Sequence, residues 1–486
     1  MSRLFPTEPI AKVDTAWLRM EQPTNLMMIT GVVTLAGPID YERLLDTIRT
    51  RWLAFKRFRQ KAVDRPVGAH WVVDEDFEIH AHVRRVALPG DAGQAELEEF
   101  VSDLASTALD PSRPLWQFHY VENYAGGPVI VQRIHHCYAD GIALVQVFLS
   151  LTDESPEPPP AALDPVTWRQ TQVAGSSVFR RLVEPAKDGL GLALDWARKL
   201  AGEGSRILQD RERAAYYADE ASGLARELVH SLSLPEDPKT IFKGRLGVRK
   251  RVAWAEPLPL AEVKSLSKVL GCTVNDLLIS TVTGSLNSYL VEQGERPTAA
   301  TEIRATVPVN LRPLEHAREL GNHFGLVFLS LPVGERNPLK RIRCIRDRMN
   351  ELKSGRQATV SFGLLAALGM GPSVLQKPAL ELLSEKATTV LTNVPGPQKP
   401  LYLAGERVTE MMFWVPQNGS IGMGISILSY DGQVFFGVIT DRKLVPDPHQ
   451  IIARFRPEFE KLVYLSLLLP VDEPDSPELA EELIRR

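Results

Sequence analysis

A layered α/β protein in two large domains is what the sequence predicts, on three observations. The chain has 486 residues, too long for one ordinary domain and comfortable for two. Strand-like and helix-like segments alternate along it, the pattern of layered α/β folds. A break at 153–165, DESPEPPPAALDP, carries five prolines and cannot continue a helix. The expected divisions are an N-terminal domain over 1–165, a helical crossover over 166–238 and a C-terminal domain over 239–486.

The elements follow in order. Residues 27–36, MMITGVVTLA, are rich in β-branched side chains and predict a strand. Residues 40–58 predict a helix, with Leu44, Leu45, Ile48 and Leu53 on one face. Residues 128–135, PVIVQRIH, predict a second strand. Gly141 then opens a helix, IALVQVFLSL, that is apolar almost all round and so expected to be buried. After the proline break the chain is polar and helical in pattern to about 234. The second half predicts a helix from Leu260, strands at ATVPVNL and GLVFLSLP, and a hairpin within GMGISILSYDGQVFFGVIT. In that hairpin Tyr430-Asp431-Gly432-Gln433 supplies the turn. The tail from Asp472 to Arg486 is charged and expected to form one exposed helix.

Composition narrows the function classes. Lys plus Arg is 56 and Asp plus Glu is 60, for a net charge of −4, without the basic excess of a nucleic-acid binder. Three scattered cysteines, Cys137, Cys272 and Cys344, fit a reducing compartment and give no disulfide framework or zinc ribbon. The N-terminal segment lacks the apolar core of a secretory signal, and the C-terminal EELIRR carries no prenylation box. The uncharged stretch from Gln357 to Gln376 is diluted by Gly363, Gly369, Gly371 and Pro372. It is expected to be a buried helix pair rather than a membrane span.

The chemistry concentrates in His135-His136-Cys137-Tyr138-Ala139-Asp140-Gly141. A strand ending at His136 can project an imidazole into the crevice at its end. The Asp140–Gly141 turn then lets the chain reverse and start the helix. A neutral imidazole is a natural base for an alcohol or amine proton near pH 7. His136 is therefore the expected base and His135 the expected structural neighbour. No third ligand stands at metal-site spacing from this pair. Cys137 is expected to be a small buried residue. The sequence holds no G-x-S-x-G elbow, no G-x-x-x-x-G-K-[ST] loop and no G-x-G-x-x-G after a strand.

This stretch resembles the HHxxxDG signature of the bacterial-type wax ester synthase/acyl-CoA:diacylglycerol acyltransferases. More weakly it is similar to condensation domains of nonribosomal peptide synthetases and to chloramphenicol acetyltransferase. Further blocks in family order narrow the choice. They are His82-Val83 with Leu88-Pro89, Leu109-Asp110 with Arg113-Pro114-Leu115-Trp116, and Thr273-Val274-Asn275-Asp276. Val307 to Arg312, Gly321-Asn322 through Leu331-Pro332, Thr392 to Pro397 and Gly422 to Asp441 complete the series. Thr392 stands where the family usually has serine.

The resemblance implies the two-domain CoA-dependent acyltransferase fold, with a tunnel between the domains. Acyl-CoA enters on one side, and a fatty alcohol or diacylglycerol on the other. His136 would take the acceptor's hydroxyl proton for direct attack on the thioester. The motif carries His135, Asp140, Gly141 and Asn275 into the catalytic set. Arg312, as the partner of Asp140, and Asp276 are expected to be structural. Asn275 either meets the reaction centre or caps its helix. Trp116 is expected in the core, with a ligand contact as the alternative. Asn393, Pro395 and Gly396 form either a plain turn or a wall for the pantetheine arm. No metal or bound cofactor is implied.

Substrates of this kind imply a cytoplasmic enzyme held peripherally at the inner membrane face and at lipid inclusions, with a homodimer allowed. The candidate contact surfaces are the basic run of Lys239, Lys243, Arg245, Arg249, Lys250 and Arg251, the helix with Lys340, Arg341, Arg343, Arg346 and Arg348, and the Gly363–Leu375 segment. Two other readings stand beside this one: a condensation-type enzyme using carrier-protein thioesters, and a non-catalytic lipid-binding or inclusion-coating protein.

Overall fold

The computed structural model describes residues 7–65, 68–157, 234–311, 320–354, 358, 360–362, 384–470 and 476–485. In chain order the first half gives α1 (Lys12–Met20), β1 (Met28–Leu35), α2 (Tyr41–Thr47), β2 (Gln60–Val63), β3 (His70–Val73) and β4 (Val83–Val86). It continues with α3 (Gln94–Ala105), β5 (Trp116–Val121), β6 (Val129–His135) and α4 (Gly141–Leu149). The second half gives β7 (Lys250–Trp254), α5 (Leu260–Val269), α6 (Val274–Glu292), β8 (Ile303–Asn310), β9 (Phe324–Leu331) and α7 (Pro338–Ser354). It ends with β10 (Thr389–Pro395), β11 (Glu406–Trp414), β12 (Met423–Tyr430), β13 (Gln433–Asp441), α8 (His449–Leu468) and α9 (Pro477–Arg485).

Two seven-stranded sheets carry the molecule. The first runs β4-β5-β6-β1-β11 and is closed by the short strands Tyr402–Leu403 and Thr152–Asp153. All eight residues of its central strand, β1, are buried, as expected of a β-branched strand covered on both faces. The second runs β13-β12-β10-β8-β9, with β7 and Leu258–Pro259 both pairing β13. Buried apolar residues form two cores, of which the first also takes in residues of the second sheet such as Phe324 and Val390.

The two halves of the chain are not confined to their own sheets. Strand β11, from the far end of the sequence, pairs antiparallel with β1, from Trp414 opposite Thr30 to Val408 opposite Leu35. Two serine hydroxyls of α3 add a second tie, Ser102 accepting the Val252 N–H and Ser106 that of Lys250.

Several expectations change in detail. The helix expected over 40–58 stops at Thr47 and passes into a π turn over Ile48–Trp52. That wider turn puts Trp52 in the core, stacked on Phe58 at 4.0 Å, and pairs Arg51 with buried Asp153 at 3.0 Å. The hairpin turns on Asp431 and Gly432, both at positive φ, as a two-residue primed turn requires. The tail helix α9 is docked rather than free. Ala480 is fully buried, and Lys340 holds Glu481 at 2.7 Å. Most of the crossover expected over 166–238, Arg312 and the Gly363–Leu375 segment lie outside the described residues.

Candidate active site

The motif stands between β6 and α4, where each neighbour of His136 is held by its own bonds. His135 ends β6, and its Nε2 lies 3.2 Å from Glu21 while its Nδ1 accepts the Cys137 N–H at 3.1 Å. Burial works to raise the Glu21 carboxyl, yet its bonds to His135 and to the Met27 N–H hold it below the usual range. With both ring nitrogens engaged, His135 is a brace, although the motif carries it into the catalytic set.

The other loop residues are equally fixed. The Cys137 thiol is buried and pushed well above its ordinary pKa by that burial, so it is no nucleophile. The Tyr138 hydroxyl donates to the Gln60 carbonyl at 2.7 Å and accepts the Leu115 N–H at 3.0 Å. Asp140 is buried, and its carboxylate accepts the His323 N–H at 3.0 Å. Its carbonyl accepts the Leu144 N–H at 2.9 Å, the first bond of the helix that Gly141 opens.

His136 alone keeps a ring available. Its backbone is pinned, the N–H to the Met27 carbonyl at 2.7 Å and the carbonyl to Asn322 Nδ2 at 2.8 Å. The imidazole stacks on Trp17, with centroids 4.3 Å apart and planes 22° apart, and leans on Phe324 at 5.5 Å. Its Nδ1 is buried without a hydrogen-bond partner. Burial pushes the ring's pKa down to about 4, against the pull of the Asp140 charge. At neutral pH the ring is uncharged and can accept a proton.

Phe324 begins β9 and Trp17 lies on α1, so the ring sits where the second sheet meets the first half of the chain. The seam is laced backbone to backbone. Gly321 donates to the Tyr138 carbonyl at 3.0 Å, and Ala139 bridges to Gly321. Gly321 takes φ +107, a conformation that glycine adopts without strain.

The Asn275 corner is built differently. Thr273 caps α6, in a reciprocal pair with buried Asp276. Asn275 is thereby relieved of capping, and its Oδ1 accepts from Asn393 Nδ2 at 2.7 Å. The two candidate asparagines thus meet each other. Along β10 the buried Leu391 joins the second core and Val390 the first. By the period of two, Asn393 shares the face of Leu391. Pro395 closes β10, and Gly396 donates to the Ser429 carbonyl at 2.8 Å. A Cβ at Gly396 would lie 2.4 Å from that oxygen, so the turn requires glycine there.

Trp116 is fully buried, its Nε1 donates to the Phe58 carbonyl at 2.8 Å, and His82 stacks on it at 4.5 Å. The two blocks that carry His82 and Trp116 therefore meet in an aromatic core.

Of the basic clusters Lys250 and Arg341 are buried, whereas Lys239, Arg245 and Arg249 are exposed. Lys250 is buried on Asp441 at 3.1 Å, and Arg251 pairs with Glu99. Arg341 is buried on Glu458 at 2.9 Å, Arg348 pairs with Glu302, and Arg346 donates to the Gly271 carbonyl. Among the described residues no single helix is long and apolar enough to cross a membrane. Sequence reasoning missed Asp14, Trp17 and Glu21 and named Asn322 only within a family block; Trp17, Glu21 and Asn322 meet the motif across the fold, and Asp14 reaches it through Asn322.

The family model of the wax ester synthase/diacylglycerol acyltransferase catalytic domain matches residues 10–278, and that of the C-terminal domain of the same family matches 320–463. The probable diacylglycerol O-acyltransferase tgs1 of Mycobacterium tuberculosis is 30% identical over 469 residues, covering 94% of this chain and 96% of that one. A putative diacylglycerol O-acyltransferase of the same species is 28% identical over 460 residues, covering 90% and 87%. Among solved structures, the wax ester synthase/diacylglycerol acyltransferase of Marinobacter aquaeolei VT8 superposes with a TM-score of 0.65 at 21% identity, over 94% of this chain and 99% of that one. The first condensation domain of the calcium-dependent antibiotic synthetase gives 0.57 at 14% identity, over 98% of each. Both structures share the two-domain fold.

Proposed function

We propose a reaction for this chain from the premise that it belongs to the wax ester synthase/diacylglycerol acyltransferase family. The reaction is transfer of a long-chain fatty acyl group from acyl-CoA to the hydroxyl of a fatty alcohol or a diacylglycerol. The observation that carries it is His136, a neutral imidazole held on an otherwise fully braced loop at the seam of the two sheets.

The chemistry follows from that ring. His136 takes the hydroxyl proton as the alcohol oxygen attacks the thioester carbonyl. The new C–O bond forms, the C–S bond breaks, and the imidazolium returns its proton to the departing thiolate. The Asp140 charge favours the imidazolium while it exists. The inert Cys137 supports direct transfer without an acyl-enzyme. Substrates reach His136 through a tunnel between the two halves, one from each side. The carrier-protein alternative is the weaker reading, since the curated relatives carry O-acyltransferase names over nearly their whole lengths. A pure coat or binding role leaves the neutral ring at His136 without use.

Place follows from substrate. Long-chain acyl groups and their acceptors partition into bilayers and inclusions, so the enzyme works in the cytoplasm at the inner membrane face and at lipid inclusions. Flotation with anionic vesicles tests that contact, and sedimentation tests the homodimer.

The reaction is tested by thiol release from palmitoyl-CoA with hexadecanol or dioleoylglycerol. Release that depends on acceptor, with one ester formed per thiol, is expected. The ratio between the acceptors names the main product. No release with either contradicts the acyl-CoA reading.

A further inference from the structure

Helix α1 brings two polar groups to the base that the motif does not contain. Asp14 and Trp17 stand one turn apart, so both face the same way, and both are buried. Trp17 lies flat on the His136 ring at 4.3 Å and touches Phe324 at 5.6 Å. Asp14 Oδ1 accepts two bonds from one residue, the Asn322 N–H at 2.9 Å and Asn322 Nδ2 at 2.8 Å. The same Nδ2 donates to the His136 carbonyl at 2.8 Å. A chain of contacts therefore runs from α1 to both the ring and the backbone of His136.

We propose that the Asp14–Trp17 face of α1 is a positioning device for His136. Trp17 fixes the plane of the imidazole and offers its π face to the imidazolium formed during transfer, while Asp14, acting through Asn322, fixes the His136 carbonyl and so the ring's entry into the seam. The inference rests on His136 as the base.

Two features set this arrangement apart from ordinary core packing. Burial raises the Asp14 carboxyl to about 7 despite its bonds to Asn322. Burial of this kind is unfavourable for a group with only a structural task. The Trp17 Nε1 and the Asn322 Oδ1 are buried without hydrogen-bond partners beside the base. The charged and titratable groups around the cluster are Asp140 and His135 of the motif loop, Glu21 on His135, and Arg57 near Asp14.

The test uses the full chain, with kcat and the KM for palmitoyl-CoA and for hexadecanol measured for Trp17→Leu, Trp17→Phe, Asp14→Ala, Asp14→Asn and Asn322→Ala. His136→Ala is the reference, and rates are expressed per folded enzyme. Trp17→Leu and Asp14→Ala are expected to lower kcat by about tenfold or more, with either KM moved less than about threefold. Trp17→Phe, which keeps an aromatic face, and Asp14→Asn, which keeps the Oδ1 acceptor, should recover most of that loss. Should Asp14→Ala fold poorly, Asn322→Ala breaks the same chain of contacts and should show the same kcat loss. The double variant should add little to it. Variants that keep kcat within about threefold of the wild type overturn the proposal. So does a loss confined to KM, or conservative variants that fall as far as the radical ones. Retained activity in His136→Ala overturns the base itself, a separate failure.

Discussion

At the His136 corner two carboxylates, Asp14 and Asp140, accept N–H groups from consecutive residues, Asn322 and His323. At the Asn275 corner a neutral amide pair, Asn275 and Asn393, joins the start of α6 to the end of β10. The first corner buries charge, ties distant parts of the chain and leaves one ring nitrogen without a partner. The second pairs its two amides with each other and caps its helix with Thr273, leaving Asp276 Oδ1 buried without a partner. On the proposed reaction the first corner carries the base, and the second joins the start of a helix to the end of a strand.

Apart from the base itself, the largest effect is expected at Asp140. Asp140→Ala strips the His323 N–H of its buried acceptor, loosening the seam beside His136. A kcat loss of about 100-fold is expected, with a stability loss of about 2 kcal/mol, checked by turnover and denaturant titration. Trp116→Leu should lower stability by about 3 kcal/mol through lost packing and the lost bond to Phe58. Both KM values should stay unchanged, because Trp116 belongs to the core. A KM shift there would return it to the substrate.

Burial of His136 also sets a pH dependence. The unfolded ring takes its proton near 6.5 and the folded ring only near about 4. Between those values the unfolded chain binds more protons, so stability falls as pH falls from 6.5 towards 4. The share due to His136 is roughly 3 kcal/mol. His136→Asn should lose correspondingly less stability over that window in paired thermal melts. For the same reason the acid limb of kcat/KM should lie below pH 5, as the base protonates near about 4.

The smallest effects are expected at the second corner. Asn275→Ala or Asn393→Ala should lower stability by about 1 kcal/mol, with a double-mutant coupling of that order. The kcat should stay within about threefold of wild type. A kcat loss nearer 100-fold at Asn275 alone would instead mark an oxyanion donor and erase the contrast between the corners.

Much of this was legible before the fold was known, and the remainder has a common cause. Strand β1, the strand ending at His135, the helix from Gly141 and the Asp431–Gly432 turn all follow from local pattern and turn chemistry. So does the base, because His136 and its loop are contiguous. Trp17 escaped, and Asn322 stood in its block without a role, because their meaning lies in contacts made across the fold. Asp14 and Asn322 are 308 positions apart, and Asn322 and His136 are 186 apart. The pairing of β11 with β1 escaped for the same reason, since a strand's composition does not say which sheet it joins. The Asn275–Asn393 bond was half legible. Both residues stood out, but the cap that frees Asn275 is Thr273, and only the helix start reveals it. The basic helix could not be sorted by composition, since Arg341 answers Glu458 in the core while Arg348 meets Glu302 in a half-exposed pair.

The most direct test of the central claim compares wild type with His136→Ala. Ester formation from palmitoyl-CoA and hexadecanol would be measured at neutral pH, with folding verified for both. The account predicts a kcat loss of about 1000-fold in the variant, with palmitoyl-CoA still bound. Full turnover in a folded His136→Ala enzyme would contradict it.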